Sequence, residues 1–332
     1  MARRNDELLF IAWSRLSRRT IQLASHLGAE LLFIEDKPPY IRAWLQSKNI
    51  IERKHNKLKT VILQLPQGPL LLEAVILKNK YGFKLVADVH TGFIVYDSLR
   101  GFVLNGPFTK LLDKCDLVIV HNDHIKQYIR KLYGIDKKLI TVYDPLPVVP
   151  RRLEKPKHLE EVEGGNFIVF PASWNLDEPL EYVISEYLSS KISSSYKLVI
   201  TGKPRAKIFK KIEKLRTSSI ILTGYLPWRQ YYWLLANAKA IIAATKREYT
   251  ILSAVWEGAA SQTPLIVSRT RTLEELLRGK VLFFELRRGS LAEVLDQLDE
   301  LAPAMREKTQ LLKHYLLTLS RKSLKELSSI IS

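Results

Sequence analysis

Short apolar runs alternate with segments of helical period along the chain. In the first 150 residues the runs 8–13, 30–34, 60–65, 84–89, 117–121 and 139–143 read as strands. Stretches 18–27, 69–80, 108–114 and 123–132 repeat apolar residues at helical spacing and separate most of them. Strands that are apolar throughout, joined through helices, predict a parallel sheet whose two faces are both covered. Residues 144–165 interrupt the rhythm. Pro145, Pro147, Pro150 and Pro156, mixed charges and the pair Gly164 and Gly165 predict a linker there. The alternation then restarts, with strands at 166–170, 196–201, 220–223, 240–244 and 264–268 and helices at 178–188, 206–215, 228–236 and 251–260. The C-terminal tail is helical and amphipathic. The expected fold class is therefore α/β, with two Rossmann-like domains facing each other across a cleft and ligands at the carboxyl ends of their strands.

A length of 332 residues suits two domains. The expected division is 1–150, 151–300, and a tail 301–332 that returns to the first domain. Lys and Arg exceed Asp and Glu by 18. There are 23 basic and 14 acidic residues in 1–150 and 29 and 20 in the rest, so each half carries +9 and neither has a separate basic tail. Such a charge suits phosphate-bearing substrates or an anionic membrane surface. Its even spread, without recognition motifs, argues against nucleic acid. The single cysteine, Cys115, excludes an intrachain disulfide and points to a reducing compartment. No apolar run approaches the ~18 residues of a membrane span, and the N-terminus lacks a signal-peptide pattern. A cytoplasmic protein, able to sit on the inner face of a membrane, is expected.

Residues 245–268 are the most informative stretch. A strand ends at Ala244, a polar loop follows and a helix is expected from about Ile251. That order places the free N–H groups of a helix start at a strand's carboxyl end, a ready site for a diphosphate. Glu257 is expected two turns into the helix, ahead of Gly258, Ala259 and Ala260, whose small side chains let the helix pack closely on the sheet.

This stretch resembles the donor-binding segment of the GT-B glycosyltransferases often called family 4. Glu257 and Thr263-Pro264-Leu265 match its later part. The order of landmarks is similar over 166–277: PASWNLDEPLEYVISEY (171–187), LVITGK with Gly202, and ILTGYLPWRQYYWLLANAKAII (221–242). The resemblance implies a retaining, metal-independent transfer of a sugar from a nucleotide sugar, such as a UDP- or GDP-sugar, to an acceptor hydroxyl, with no other cofactor. It implies that Glu257 binds the ribose hydroxyls and that the base lies against the backbone at Tyr225 and Leu226. It further implies a first, sugar-binding acid. Glu248 stands one residue too early for it, and strict spacing places Tyr249 there, with Thr250 in the same loop. The family's Arg/Lys pair for the diphosphate is replaced by the acidic turn Ser173-Trp174-Asn175-Leu176-Asp177-Glu178. Lys203, Arg205, Lys246 and Arg247 are then the available cations, and transition-state charge on the leaving group requires some such donor.

In the first half, the strand end WSRLSRRT offers Ser14, Arg15 and Arg18 at a helix start as acceptor-side or phosphate-side groups. ADVHTG supplies His90, where the family places a histidine against the transferred sugar, and Asp88 as an alternative base. His121 and His124 follow in rank, and no His/Cys/Asp spacing suggests zinc. In residues 38–59, Tyr40, Ile41, Trp44 and Leu45 can share a helical face beside Lys and Arg. That pattern fits either an anionic membrane, and hence a lipid-linked acceptor, or a helix packed on the sheet. A glycan acceptor, a GT-B-fold epimerase and a binding scaffold without catalysis remain open.

Overall fold

The computed structural model describes all residues except 1–4, 97, 136–137, 158, 160–161, 163–165, 216 and 332. The chain divides into two compact units, residues 1–145 with 319–332, and residues 146–318. Six positions of the expected linker (158, 160, 161 and 163–165) lie outside the described residues.

The first unit holds a parallel sheet in the order β2-β1-β3-β4-β5-β6. Its strands are β1 (Asn5–Trp13), β2 (Ala29–Ile34), β3 (Thr60–Leu65), β4 (Lys84–Val89), β5 (Leu117–Val120) and β6 (Leu139–Thr141). The helices are α1 (Arg18–Leu27), α2 (Ile41–Lys54), α3 (Gly68–Tyr81), α4 (Thr91–Ile94), α5 (Leu99–Asn105) and α6 (Asp123–Tyr133). Residues 108–114, expected as an α-helix, belong to a 3-10 helix over Gly106–Lys114. Every residue of β3 and of β5 is buried, as helices on both faces require. Phe10, Ile62, Val86 and Ile119 stand on neighbouring strands and pack with Leu23 of α1. Helix α1 begins where Ser17 Oγ accepts the N–H of Thr20 and ends at Gly28, whose φ of 66° a side chain would oppose.

The second unit repeats the plan in the order β12-β11-β10-β7-β8-β9. Its strands are β7 (Phe167–Phe170), β8 (Lys197–Thr201), β9 (Ile220–Gly224), β10 (Ala240–Ala243), β11 (Leu265–Ser268) and β12 (Leu282–Phe284). Between them run α7 (Leu180–Ser189), α8 (Ala206–Ile212), α9 (Trp228–Asn237), α10 (Ser253–Ser261), α11 (Arg271–Leu277) and α12 (Ser290–Asp296), and α13 (Leu298–Ile331) ends the chain. Ile168, Ile200, Ile242 and Ile266 line one face of this sheet against Val183, Ile184 and Tyr187 of α7. The order of strands reverses between β7 and β10, the switch point at which such sheets open a crevice at their carboxyl edge.

The expected tail 301–332 is one continuous helix whose membership is divided. Leu298 and Ala302 pack in the core of the second unit, Leu324 and Leu327 in that of the first, and the division falls after Thr318. The first boundary falls after Pro145, not at 150. Among the described residues no helix is long and apolar enough to cross a membrane.

Candidate functional site

In the second unit a cavity of about 310 Å³ opens at the carboxyl ends of β7, β8 and β10, at the small end of small-molecule sites. Its floor depends on Gly202. That residue has φ 87°, and a Cβ there would stand 2.0 Å from the carbonyl oxygen of Ala172. The neighbouring turn is locked by Trp174, which is 1% exposed and whose indole N–H donates to the Thr201 carbonyl at 2.9 Å. Glu178 lines the cavity and accepts from the N–H groups of Ser173 (2.9 Å) and Asn175 (3.3 Å). Burial raises its carboxyl above the usual range against those bonds. The acidic turn read in the sequence is therefore a braced backbone element.

Helix α10 forms the opposite wall. It starts at Ser253, two residues after the expected start, because Tyr249 adopts φ 63° and Leu252 is still extended. Glu257 consequently lies just over one turn in. No side chain caps this helix start, and Leu252, Ser253 and Ala254 line the cavity with its N-terminal end. Close packing of the helix on the sheet does rest on its small residues: a Cβ on Gly258 would stand 2.6 Å from Leu265 Cδ2. Glu257 is 8% exposed, lines the cavity, and accepts a 2.5 Å hydrogen bond from the Tyr231 hydroxyl. Tyr231, on α9, was missed by sequence reasoning, although three residues after Trp228 is the helical spacing that puts both on one wall. Tyr225, exposed at 81%, and Leu226 complete the mouth.

Of the other expected donor residues, none lines this cavity. Glu248 points to α11, where its carboxylate accepts from the backbone N–H of Thr272 (2.8 Å) and Arg271 (3.1 Å) and from the Thr272 hydroxyl. Burial pushes its carboxyl up, but those bonds outweigh it and hold the group below the usual range. It is a helix-capping acid: at the start of α11, where Thr270 Oγ1 accepts the Leu273 N–H, Glu248 takes the N–H groups of Arg271 and Thr272. Thr250 buries its hydroxyl without a hydrogen-bond partner. Lys203, Arg205 and Lys246 are exposed, and Arg247 is half-buried. The Lys246 N–H donates to the Asp177 carbonyl at 2.8 Å, tying the loop of Lys246 and Arg247 to the acidic turn. Among the described residues the charged side chains on the cavity wall are thus both acids, Glu178 and Glu257.

In the first unit the carboxyl ends of β4 and β5 hold a buried polar cluster whose centre is Arg19. Its Nε donates to Asp88 at 3.0 Å, and its Nη1 donates to Asp144 (2.6 Å) and to the Val142 carbonyl (2.7 Å). Burial lowers the guanidinium pKa, but Asp88 and Asp144 outweigh it and raise it. Asp88, 1% exposed in its side chain, is pushed up by burial and drawn well below the usual carboxylate range by Arg19 and His90. The expectation of Asp88 as an acceptor-side base is corrected: a carboxylate locked to a buried guanidinium takes up no proton near neutrality.

His90 keeps a quarter of its side chain exposed, with Nε2 3.3 Å from Asp88 Oδ2. An ionised carboxylate only accepts, so Nε2 carries the hydrogen and Nδ1 is left to take a proton. His121 is a poor base, since burial and then the Arg19 charge lower it to about 4, and its Nε2 lies 3.0 Å from Thr91 Oγ1. His124 is buried at the start of α6. Arg15 is exposed, while Ser14 and Arg18 are half-buried, and the adjacent Arg19 is the arginine that the fold buries against protein carboxylates. Arg19 was legible in principle. It stands four residues before Leu23, on the inward face of α1 with Thr20 and Ala24. Among the described residues no group of three His, Cys, Asp or Glu side chains is placed to hold a metal ion.

No protein-family model matches the sequence, and comparison with curated proteins finds no match. Solved structures do match over nearly the whole chain. A glycosyltransferase from Rickettsia africae is 14% identical with a TM-score of 0.71, covering 98% of each chain. HepE from Anabaena, in complex with UDP, is 10% identical with a TM-score of 0.73, over 97% of this chain and 100% of HepE. Sucrose-phosphate synthase from Thermosynechococcus elongatus is 11% identical with a TM-score of 0.75, over 97% and 98%. At these identities the likeness establishes the fold, and that fold is the GT-B architecture of glycosyltransferases.

Proposed function

We propose that the protein transfers a sugar from a nucleotide-sugar donor to an acceptor hydroxyl. The observation that carries this reading is the cavity at the switch point of the second sheet, walled by the Tyr231–Glu257 pair and by the uncapped start of α10. Glu257 accepts from the ribose hydroxyls of the donor, and the base lies against the Tyr225–Leu226 backbone. The diphosphate sits at the α10 N–H groups, with Lys246 and Arg247 supplying charge from the adjoining loop. HepE, with UDP or UDP-glucose bound, supports the donor class. The first unit serves the acceptor. His90 Nδ1 takes the acceptor proton while Asp88, held by Arg19, fixes the ring and stabilises its charged form. Retention of configuration and transfer without a metal are part of the proposal, on the resemblance of residues 245–268 alone. A lipid-linked acceptor is favoured over a free glycan by Ile41 and Leu45, exposed on α2 of this unit.

Product analysis with a panel of UDP- and GDP-sugars tests the reading. The wild type should turn over at least one donor. Glu257→Ala should lose nucleotide affinity, and His90→Ala should lose about 10²–10⁴ in kcat with nucleotide binding retained. Full activity in both variants would sink the site. A second reading, a nucleotide-binding protein without transferase activity, is favoured by the cavity wall, whose charged side chains are both acids. It predicts thermal stabilisation by a nucleoside diphosphate with no turnover of any donor.

A further inference from the structure

Helix α9 places two aromatic residues on the cavity wall, Trp228 and Tyr231, and the fold uses them differently. Tyr231 gives its hydroxyl to Glu257 at 2.5 Å. Trp228 opens the helix and keeps 43% of its surface exposed. It is not a loose surface side chain. The fully buried ring of Tyr232 backs the indole, with ring centroids 4.4 Å apart at 58°. The turn that leads into Trp228 is anchored as well. Leu226 is buried, the Gly202 N–H donates to the Gly224 carbonyl at 2.9 Å, and the Tyr231 N–H donates to the Pro227 carbonyl at 2.9 Å. Between these anchors Tyr225 stands exposed at the same mouth. A single exposed aromatic is ordinary on a protein surface, but two on one anchored turn at one cavity mouth suit a flat apolar partner.

We propose that Trp228 is the stacking platform for the nucleobase of the donor, with the Tyr225 ring beside it. The inference rests on the nucleotide reading of this cavity and deepens it, because the base is then held by an aromatic face as well as by the Tyr225–Leu226 backbone. Helix geometry decides which part of the nucleotide meets the indole. Trp228 precedes Tyr231 by three residues, so it shares a face of α9 with it and lies about 4.5 Å away along the axis. Helix α9 follows β9 and starts at the carboxyl edge of the sheet, so Trp228 is the nearer of the two to the mouth. The ribose, held at Glu257 beside Tyr231, carries the base on one side and the diphosphate on the other. The start of α10 takes the diphosphate, and the base falls toward the first residue of α9. Every base has a π-face, so Trp228 adds affinity without choosing among bases. That choice is left to hydrogen bonds at the Tyr225–Leu226 backbone.

The test is calorimetric titration of the full chain with UDP, GDP, UDP-glucose and GDP-mannose, joined to tryptophan fluorescence. Trp228→Ala should weaken the tighter-binding of UDP and GDP about tenfold or more. Trp228→Phe, which keeps an aromatic face, should recover binding to within about threefold of the wild type. The same nucleotide should quench the emission of the wild type, and the quench should shrink in Trp228→Phe although binding persists. Tyr225→Ala removes an exposed side chain, so it covers the case in which Trp228→Ala does not fold, and it should weaken binding about threefold. Unchanged affinity in both alanine variants, or an equal quench in wild type and Trp228→Phe, would overturn the platform and leave the nucleotide site standing. A loss confined to the nucleotide sugars, with UDP and GDP unaffected, would assign the indole to the sugar and overturn the proposal too. A wild type that binds none of the four would remove the donor site and the platform together.

Discussion

Replacing Glu73 with glutamine should abolish a pH dependence built into the packing of α2 on α3. Glu73 is 1% exposed on α3, and its Oε2 lies 2.7 Å from the hydroxyl of Ser47 on α2. That hydroxyl is also 2.7 Å from the carbonyl of Ala43, and it has one hydrogen to give. If the hydrogen goes to the carbonyl, Ser47 can only accept from Glu73, which must then be protonated. The other carboxyl oxygen is buried with no partner, which a charge could not tolerate. Burial accordingly raises the carboxyl from 4.5 to about 8. Between those values the folded state keeps a proton that the unfolded chain has lost. Stability therefore falls as pH rises, by about 1.4 kcal/mol per unit, and roughly 3 kcal/mol is gone by pH 7. In Glu73→Gln an amide N–H replaces the acid proton and the slope disappears. Wild type and variant should agree within about 1 kcal/mol near pH 5 and diverge by roughly 3–4 kcal/mol above pH 8, with the variant the more stable. Because the two units need not unfold together, the measurement is urea-dependent hydrogen exchange of α2 and α3 peptides at pH 5, 7 and 8.5. Equal slopes in the two proteins would refute a protonated Glu73.

Arg19→Met should destabilise the first unit by about 3–5 kcal/mol in urea titrations, because Asp88 is left charged and unpaired. Asp88→Asn in the same background should recover part of the loss, and an additive double variant would argue against the pairing. Gly202→Ala places a methyl 2.0 Å from a backbone oxygen at φ 87°. It should lower the melting temperature and remove stabilisation by UDP or GDP, and a wild-type melting curve would contradict the close approach. Tyr231→Phe should weaken nucleotide binding about tenfold by calorimetry through the freed Glu257 carboxylate, with little change in melting temperature. His121, at about 4 in the fold against 6.5 ordinarily, takes up a proton more readily when unfolded. Stability should then fall as pH drops from about 6.5 toward 4, and His121→Asn should flatten that limb.

Local pattern carried much of the architecture. Helix α1 and strands β3 and β4 occupy the residues that periodicity and burial demand, 18–27, 60–65 and 84–89. Glu257 was legible for the same reason, since a strand end, a helix start and a run of small residues are all local features. Its neighbour in sequence, Glu248, was not, because the groups that claim it, Arg271 and Thr272, lie 23 and 24 residues further along. Trp174 resembled any loop aromatic until its indole was seen to close on Thr201. Helix α2 turns Ala43, Ser47 and Ile51 inward, with Ser47 on Glu73 of α3, so of the four apolar residues that share a face in the sequence Ile41 and Leu45 are exposed while Tyr40 is buried. The sequence alone therefore determined the alternation of strands and helices and the place of the cavity, since short-range sterics and hydrophobic period act within a few residues. Only the tertiary structure decided which charges are spent on structure and which remain for chemistry. Arg19 finds Asp88 and Asp144 across 69 and 125 residues, and such pairing depends on how the sheet closes, not on any spacing along the chain.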